Sequence, residues 1–165
     1  MTRHLARATI PAKCCKKVYK MGLITRTIKV SANENNNLLQ VRVSQIDSII
    51  EPAMQYKFSI TGTFDEELVL QALHVNKMEG SMGAICTPAK NSLQVLVGVQ
   101  IGKGFTKRVR QLSGPDFCMH FPAMLQQMAS TALRCKQIKI LQSDGKDAFL
   151  QANKSLFKGR CVGYS

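Results

Sequence analysis

From Leu23 onward the chain reads first as strand. In Leu23 to Val30 (LITRTIKV) apolar and polar residues alternate, with Ile24, Ile28 and Val30 recurring on one side. The Asn-rich stretch Ala32 to Asn37 is a turn. Leu38 to Val43, carried on by Ile46, predicts a second strand, and Gln55 to Ile60 a third, with Pro52 as punctuation between them. Thr63 then has the character of an N-cap. The acids Asp65, Glu66 and Glu67 suit a first helical turn, and Leu68, Leu70, Ala72, Leu73 and Val75 continue a short amphipathic helix to about Met78. Gly80 and Gly83 end it, and a strand follows near Ala84 to Cys86.

The clearest pattern comes next. Leu93, Val95, Val97, Val99 and Ile101 recur at period two, and Leu96 makes part of the run apolar on both faces, as in a central strand. Gly102 and Gly104 break it. Phe117, Phe121, Met124, Leu125, Met128, Ala132 and Leu133 then repeat at helical spacing up to about Arg134. Gln137 to Leu141 is expected as a short strand. Asp144 caps a last helix whose apolar face is Phe149, Ala152, Leu156 and Phe157, with Gly159 as its stop. The expectation is an α+β protein: a mixed, largely antiparallel sheet, about three helices and a basic N-terminal extension over 1–22. Residues 23–165 form a single domain, with 88–92 as the place for a sub-boundary.

Length adds little to this, since 165 residues suit one domain. Charge adds more. Lys and Arg number 23 against 10 Asp and Glu, a net charge of +13. Residues 1–30 hold bases and no acid, 31–100 are mildly acidic, and 101–165 are basic again. A surface chosen only for solubility mixes its signs. Basic ends around an acidic middle imply one surface for a polyanion, of which nucleic-acid phosphate is the commonest, and another for protein neighbours.

Catalytic and metal chemistry are hard to find. The cysteines are Cys14, Cys15, Cys86, Cys118, Cys135 and Cys161, and no pair has zinc-knuckle spacing. The histidines are His4, His74 and His120, and Cys118 beside His120 is the only candidate dyad, with a buried structural thiol as its plainer reading. Asp65, Glu66 and Glu67 suit a helix dipole better than acid–base work. Gly98, Gly102 and Gly104 lack the Gly-Lys-Ser/Thr ending of a phosphate loop. No catalytic residue, metal, cofactor or small-molecule substrate is therefore assigned. No apolar run is long enough to span a bilayer.

The candidate RNA-binding residues are basic clusters. Lys103, Lys107, Arg108 and Arg110 lie in an expected glycine-flanked loop with Phe105, where Arg forks onto phosphate and the aromatic stacks on an unpaired base. Lys136 and Lys139 flank the short strand, and Lys154, Lys158 and Arg160 form a patch at the end. Lys13, Lys16, Lys17 and Lys20 make a tail able to thread between RNA helices. Residues 1–26, with Arg, Lys, Ala and Thr but no acid, also match a mitochondrial transit peptide.

The run Gly104-Phe105, basic stretch, Pro115-Asp116-Phe117, long helix, strand from Lys136 and capped final helix resembles the platform family of small-subunit ribosomal proteins. The 5S-RNA-binding large-subunit family shares a comparable plan. The resemblance covers about residues 93–160 and implies a structural role. The expected function is thus a non-enzymatic RNA-binding subunit of a mitochondrial ribosome in the matrix, with rRNA and neighbouring subunits as partners. The alternatives are an accessory subunit of a mitochondrial respiratory or ATP synthase complex and a viral coat protein.

Overall fold

The computed structural model describes residues 23–50, 53–80, 89–102, 104–112 and 117–157, with side chains up to residue 154. The basic extension and transit-peptide reading over 1–26 therefore fall almost wholly outside the described residues, as does the strand expected near Ala84 to Cys86. Four strands, β1 (Ile24–Asn35), β2 (Leu38–Ile49), β3 (Met54–Phe64) and β4 (Leu70–Glu79), form an antiparallel sheet in chain order. A short helix α1 (Ala89–Ser92) runs into a 3-10 turn at Leu93–Leu96, and α2 (Phe105–Gln111), α3 (Phe121–Ser143) and α4 (Gly145–Phe157) follow. The class is α+β, as the sequence implies. Among the described residues no helix is long and apolar enough to cross a membrane.

The β1–β2 hairpin closes at the last two asparagines, and Ala32 to Asn35, expected within the turn, extend β1. Asn35 pairs with Leu38, leaving a two-residue turn with φ of 49° at Asn36 and 62° at Asn37. Asn tolerates that left-handed region, and two positive φ values in succession match the right-handed twist of the flanking strands. Alternation then sorts the faces. Leu39, Val41 and Val43 of β2, with Phe58, Ile60 and Phe64 of β3, are buried under α3. Phe121, Met124, Leu125, Met128 and Ala132 form the apolar stripe of α3 that meets them. Gly62 lets helix and sheet close up: a Cβ there would lie 2.5 Å from Met128 Sδ.

Four expected stretches differ. The helix expected from Thr63 is strand β4, preceded by a tight turn in which Asp65 accepts hydrogen bonds from Val69 N at 2.8 Å and Gln71 Nε2 at 2.6 Å. Register shifts at Ser59/Ile60 and Thr63/Phe64 leave Asn76 and Gln71 as extra residues in β4. Its inward positions thus become Leu70, Leu73, Val75 and Met78, a spacing that imitates a helix. The expected strand Leu93–Ile101 begins as a 3-10 turn because Leu93 and Leu96, three apart, are buried together, while Val95 is 64% exposed. Only its end returns to extended pairing: Leu70 N donates to Val99 O, and Ile101 N to Leu68 O. The expected strand Gln137–Leu141 is the continuation of α3. Nothing between Arg134 and Ser143 breaks a helix, and the turn comes only at Gly145, with φ of 84°. The basic loop Thr106 to Gln111 is likewise helical, as α2.

A candidate thiol, imidazole and carboxylate site

Along β2 the inward positions run Leu39, Val41, Val43, Gln45 and Asp47, so the apolar face turns polar at one end of the strand. Register puts Arg26 of β1 and Tyr56 of β3 on either side of Asp47, and Ile28 and Phe58 on either side of Gln45. The Asp47 side chain is only 1% exposed. A buried carboxylate needs donors, and it has them. Arg26 gives Nε to Oδ1 at 2.7 Å and Nη2 to Oδ2 at 2.8 Å, and Gln45 Nε2 adds a third bond at 2.9 Å. These bonds, with that from Arg26 the strongest, hold the Asp47 carboxyl below its ordinary range, and Asp47 in turn raises the Arg26 guanidinium.

The entry to α3 lies against this end of the sheet. Cys118 O accepts the Phe121 N–H, forming the turn that starts the helix, and His120 sits at its N-cap position. The imidazole stacks on Phe58, with ring centroids 4.1 Å apart, and more distantly on Tyr56 at 6.3 Å. So pinned, it presents Nε2 to Asp47 Oδ2 at 3.3 Å and Nδ1 to Cys118 Sγ at 3.2 Å. Burial lowers the His120 pKa; Asp47 works against that shift and Arg26 reinforces it, so the ring is neutral at pH 7. The tautomer that satisfies both neighbours carries its proton on Nε2, toward the carboxylate, and turns the Nδ1 lone pair to the thiol. In that order of contacts an imidazole can take a proton from a thiol while a carboxylate orients the ring. Thiol and carboxylate meet opposite edges of the ring rather than converging on one point, and among the described residues no group of three or more His, Cys, Asp or Glu could hold a metal ion. Cys118 lies just ahead of the N-terminus of a 23-residue helix and is 8% exposed.

A family model described as a protein of unknown function, DUF2889, matches residues 25–134. The chain belongs to that family. No curated protein and no solved structure matches it. The DUF2889 match corrects the ribosomal resemblance, because the family is not a ribosomal one. The fold gives the physical reason: the strand from Lys136 on which that resemblance rested is the continuation of helix α3, and the basic stretch after Phe105 is helix α2. Arg26, Gln45, Asp47, Cys118 and His120 all fall inside the DUF2889 segment.

The sequence-predicted basic residues are spread more widely. Lys13, Lys16, Lys17, Lys20, Lys103, Lys158 and Arg160 lie outside the described residues. Lys107, Arg108 and Arg110 are exposed on α2, but Phe105 is 4% exposed and packs into the core, so it is not presented for stacking on a base. On α3, Lys136 Nζ donates to Glu66 O at 2.9 Å, and Lys139 is ion-paired with Glu34. Lys154 is exposed on α4. Helix α2 packs against α3, and α4 packs against α3 as well. Lys136, Lys139 and Lys154 are outside the DUF2889 segment. Of the polar site, sequence reasoning found the Cys118 and His120 pair and missed Asp47, Arg26 and Gln45. The signal was the inward run of β2, in which two polar residues follow three aliphatic ones.

Proposed function

We propose that the chain is a cysteine-dependent enzyme of acyl transfer, with Cys118 as nucleophile, His120 as base and then acid, and Asp47 as the group that orients His120. The observation that carries this reading is the contact order thiol, imidazole, carboxylate, assembled from β2 and the entry to α3. In the first step the Cys118 proton passes to His120 Nδ1 and the thiolate forms a bond to an acyl carbon. The leaving group departs with the proton from the imidazolium, and a thioester remains on Cys118. Water, deprotonated by His120, then cleaves the thioester and the thiol is restored. Asp47 stabilises the transient imidazolium, while burial, reinforced by Arg26, keeps the resting ring uncharged.

The test uses the full chain with a panel of activated esters, thioesters and anilides, followed by acid quench and peptide mass analysis. The reading predicts an acyl adduct on Cys118, and product release that Cys118→Ser and His120→Asn both abolish while circular dichroism is unchanged. Turnover that survives Cys118→Ser, or no Cys118 adduct from any class of acyl donor, refutes it.

A further inference from the structure

The second face of the sheet holds a surface that counting charge by segment conceals. Residues 31–100 are acidic in sum, yet strand alternation separates their charges. Asp47 points into the polar site, Asp65 lies in the turn before β4, and Glu34 lies beside the β1–β2 turn. The bases go to the other face. Register forms one row from Lys29, Ser44, Ser59 and Lys77, crossing all four strands, and the next from Ser31, Arg42, Thr61 and His74. Lys57 stands in the row on the other side, opposite Glu79. Glu79 is the one carboxylate on this face among the described residues, and Lys77 pairs with it at 3.0 Å. Lys29, Arg42, His74 and Lys77 are exposed, and no described helix covers these rows.

We propose that this sheet face binds a nucleic-acid phosphate backbone. Arg42 Nε donates to Ser59 Oγ at 3.2 Å, which lays the guanidinium across the sheet with its terminal nitrogens available to a phosphate. Beside it is a depression of about 460 Å³ lined by Lys29, Val30, Ser31, Arg42 and Ser44. The exposed Ser31 hydroxyl beside Lys29 and Arg42 is of the kind that positions a phosphate backbone without reading sequence, whereas Ser59 and Thr61 are buried and bonded to Arg42, Ser44 and Asn76. With strands about 4.8 Å apart, Lys29 and Lys77 at opposite edges stand roughly 14 Å from each other, a span of several nucleotides. Other occupants fit less well. A protein interface needs an apolar centre, and these rows offer only Ile46. The chain's own residues 1–22 are basic without an acid and would be repelled. No Phe, Tyr or Trp stands in these rows and His74 is their one ring, so recognition is mainly by charge and shape. The surface is independent of the Cys118 site, which lies on the opposite face of the sheet.

Fluorescence anisotropy of the full chain with labelled RNA and DNA of about 20 nucleotides tests this between ~50 and ~200 mM salt. With four bases engaged, log K against log salt falls with a slope of about −3. Lys29→Glu/Arg42→Glu, and the milder Lys29→Gln/Arg42→Gln, should each weaken binding at least ~10-fold at low salt. Lys107→Glu/Arg110→Glu on α2, matched in charge to the first pair, should cost less. Absence of binding at the lowest salt overturns the proposal, as does equal loss from the α2 pair. A poly-glutamate peptide that binds as tightly as RNA overturns it in favour of an acidic protein partner.

Discussion

Replacing Asp47 by Asn keeps the shape of the side chain and removes its charge. The carboxylate accepts bonds from Arg26 Nε, Arg26 Nη2 and Gln45 Nε2 and stands 3.3 Å from His120 Nε2. An amide offers a single oxygen, so at least one of these donors then faces an NH2 group. A hydrogen bond to a charged group is worth about 1.5–3 kcal/mol when its partner cannot find water. Arg26 is 44% exposed and can turn to solvent, so its share is discounted. Gln45 is fully buried and cannot. A loss of about 2–3 kcal/mol follows, most of it from Gln45 and His120. Urea unfolding at neutral pH reads this directly: with a slope of about 2 kcal/mol per M, the midpoint falls by about 1–1.5 M. A variant within ~0.5 kcal/mol of wild type would mean that Asp47 is not the anchor of the cluster.

Further outcomes follow from the same geometry. Phe58→Leu removes the ring stacked on His120 and lets water approach, so NMR titration should show the His120 pKa moving up toward 6.5; no movement would refute burial as the cause of its depression. Stability should fall on acidification in two stages. His120, with its folded pKa below 6.5, takes up a proton in the unfolded chain first, so stability begins to drop as pH passes below about 6.5. Asp47, with its folded pKa below 3.8, contributes fully above that range and is lost as pH falls through the folded value. Urea midpoints between pH 8 and pH 3 check both, and a flat profile contradicts them. Gly62→Ala forces a methyl against Met128 Sδ, and should cost about 1–3 kcal/mol by thermal or urea unfolding. A neutral result would show that α3 stands further from the sheet.

The first three strands were legible because strict alternation and a run of asparagines leave one economical arrangement for that stretch. β4 was not, since two extra residues stretch its inward positions to a helical spacing, and only the neighbouring strand shows that they are bulges. Leu93 to Ile101 misled for the opposite reason: its β-branched residues alternate, but tertiary packing takes Leu93 and Leu96 and leaves Val95 and Val97 exposed. Cys118 and His120 stood out because they are two residues apart. Asp47 could not join them on paper, because its contact depends on strand register and on how α3 enters over the sheet. The basic sheet face escaped for a related reason, since net charge per segment averages over two faces that alternation keeps apart.

Activation of Cys118 by His120 can be read from native-state alkylation. Limiting iodoacetamide at neutral pH, followed by peptide-resolved mass analysis, gives separate rates for Cys118 and Cys135. Cys135 is the internal reference: burial raises its pKa, and the charges acting on it are those of Lys139 and Glu34. Cys118 should react faster than Cys135, and His120→Asn should slow Cys118 at least ~10-fold while leaving Cys135 unchanged. Equal rates at the two thiols, or a Cys118 rate indifferent to His120→Asn, would contradict it.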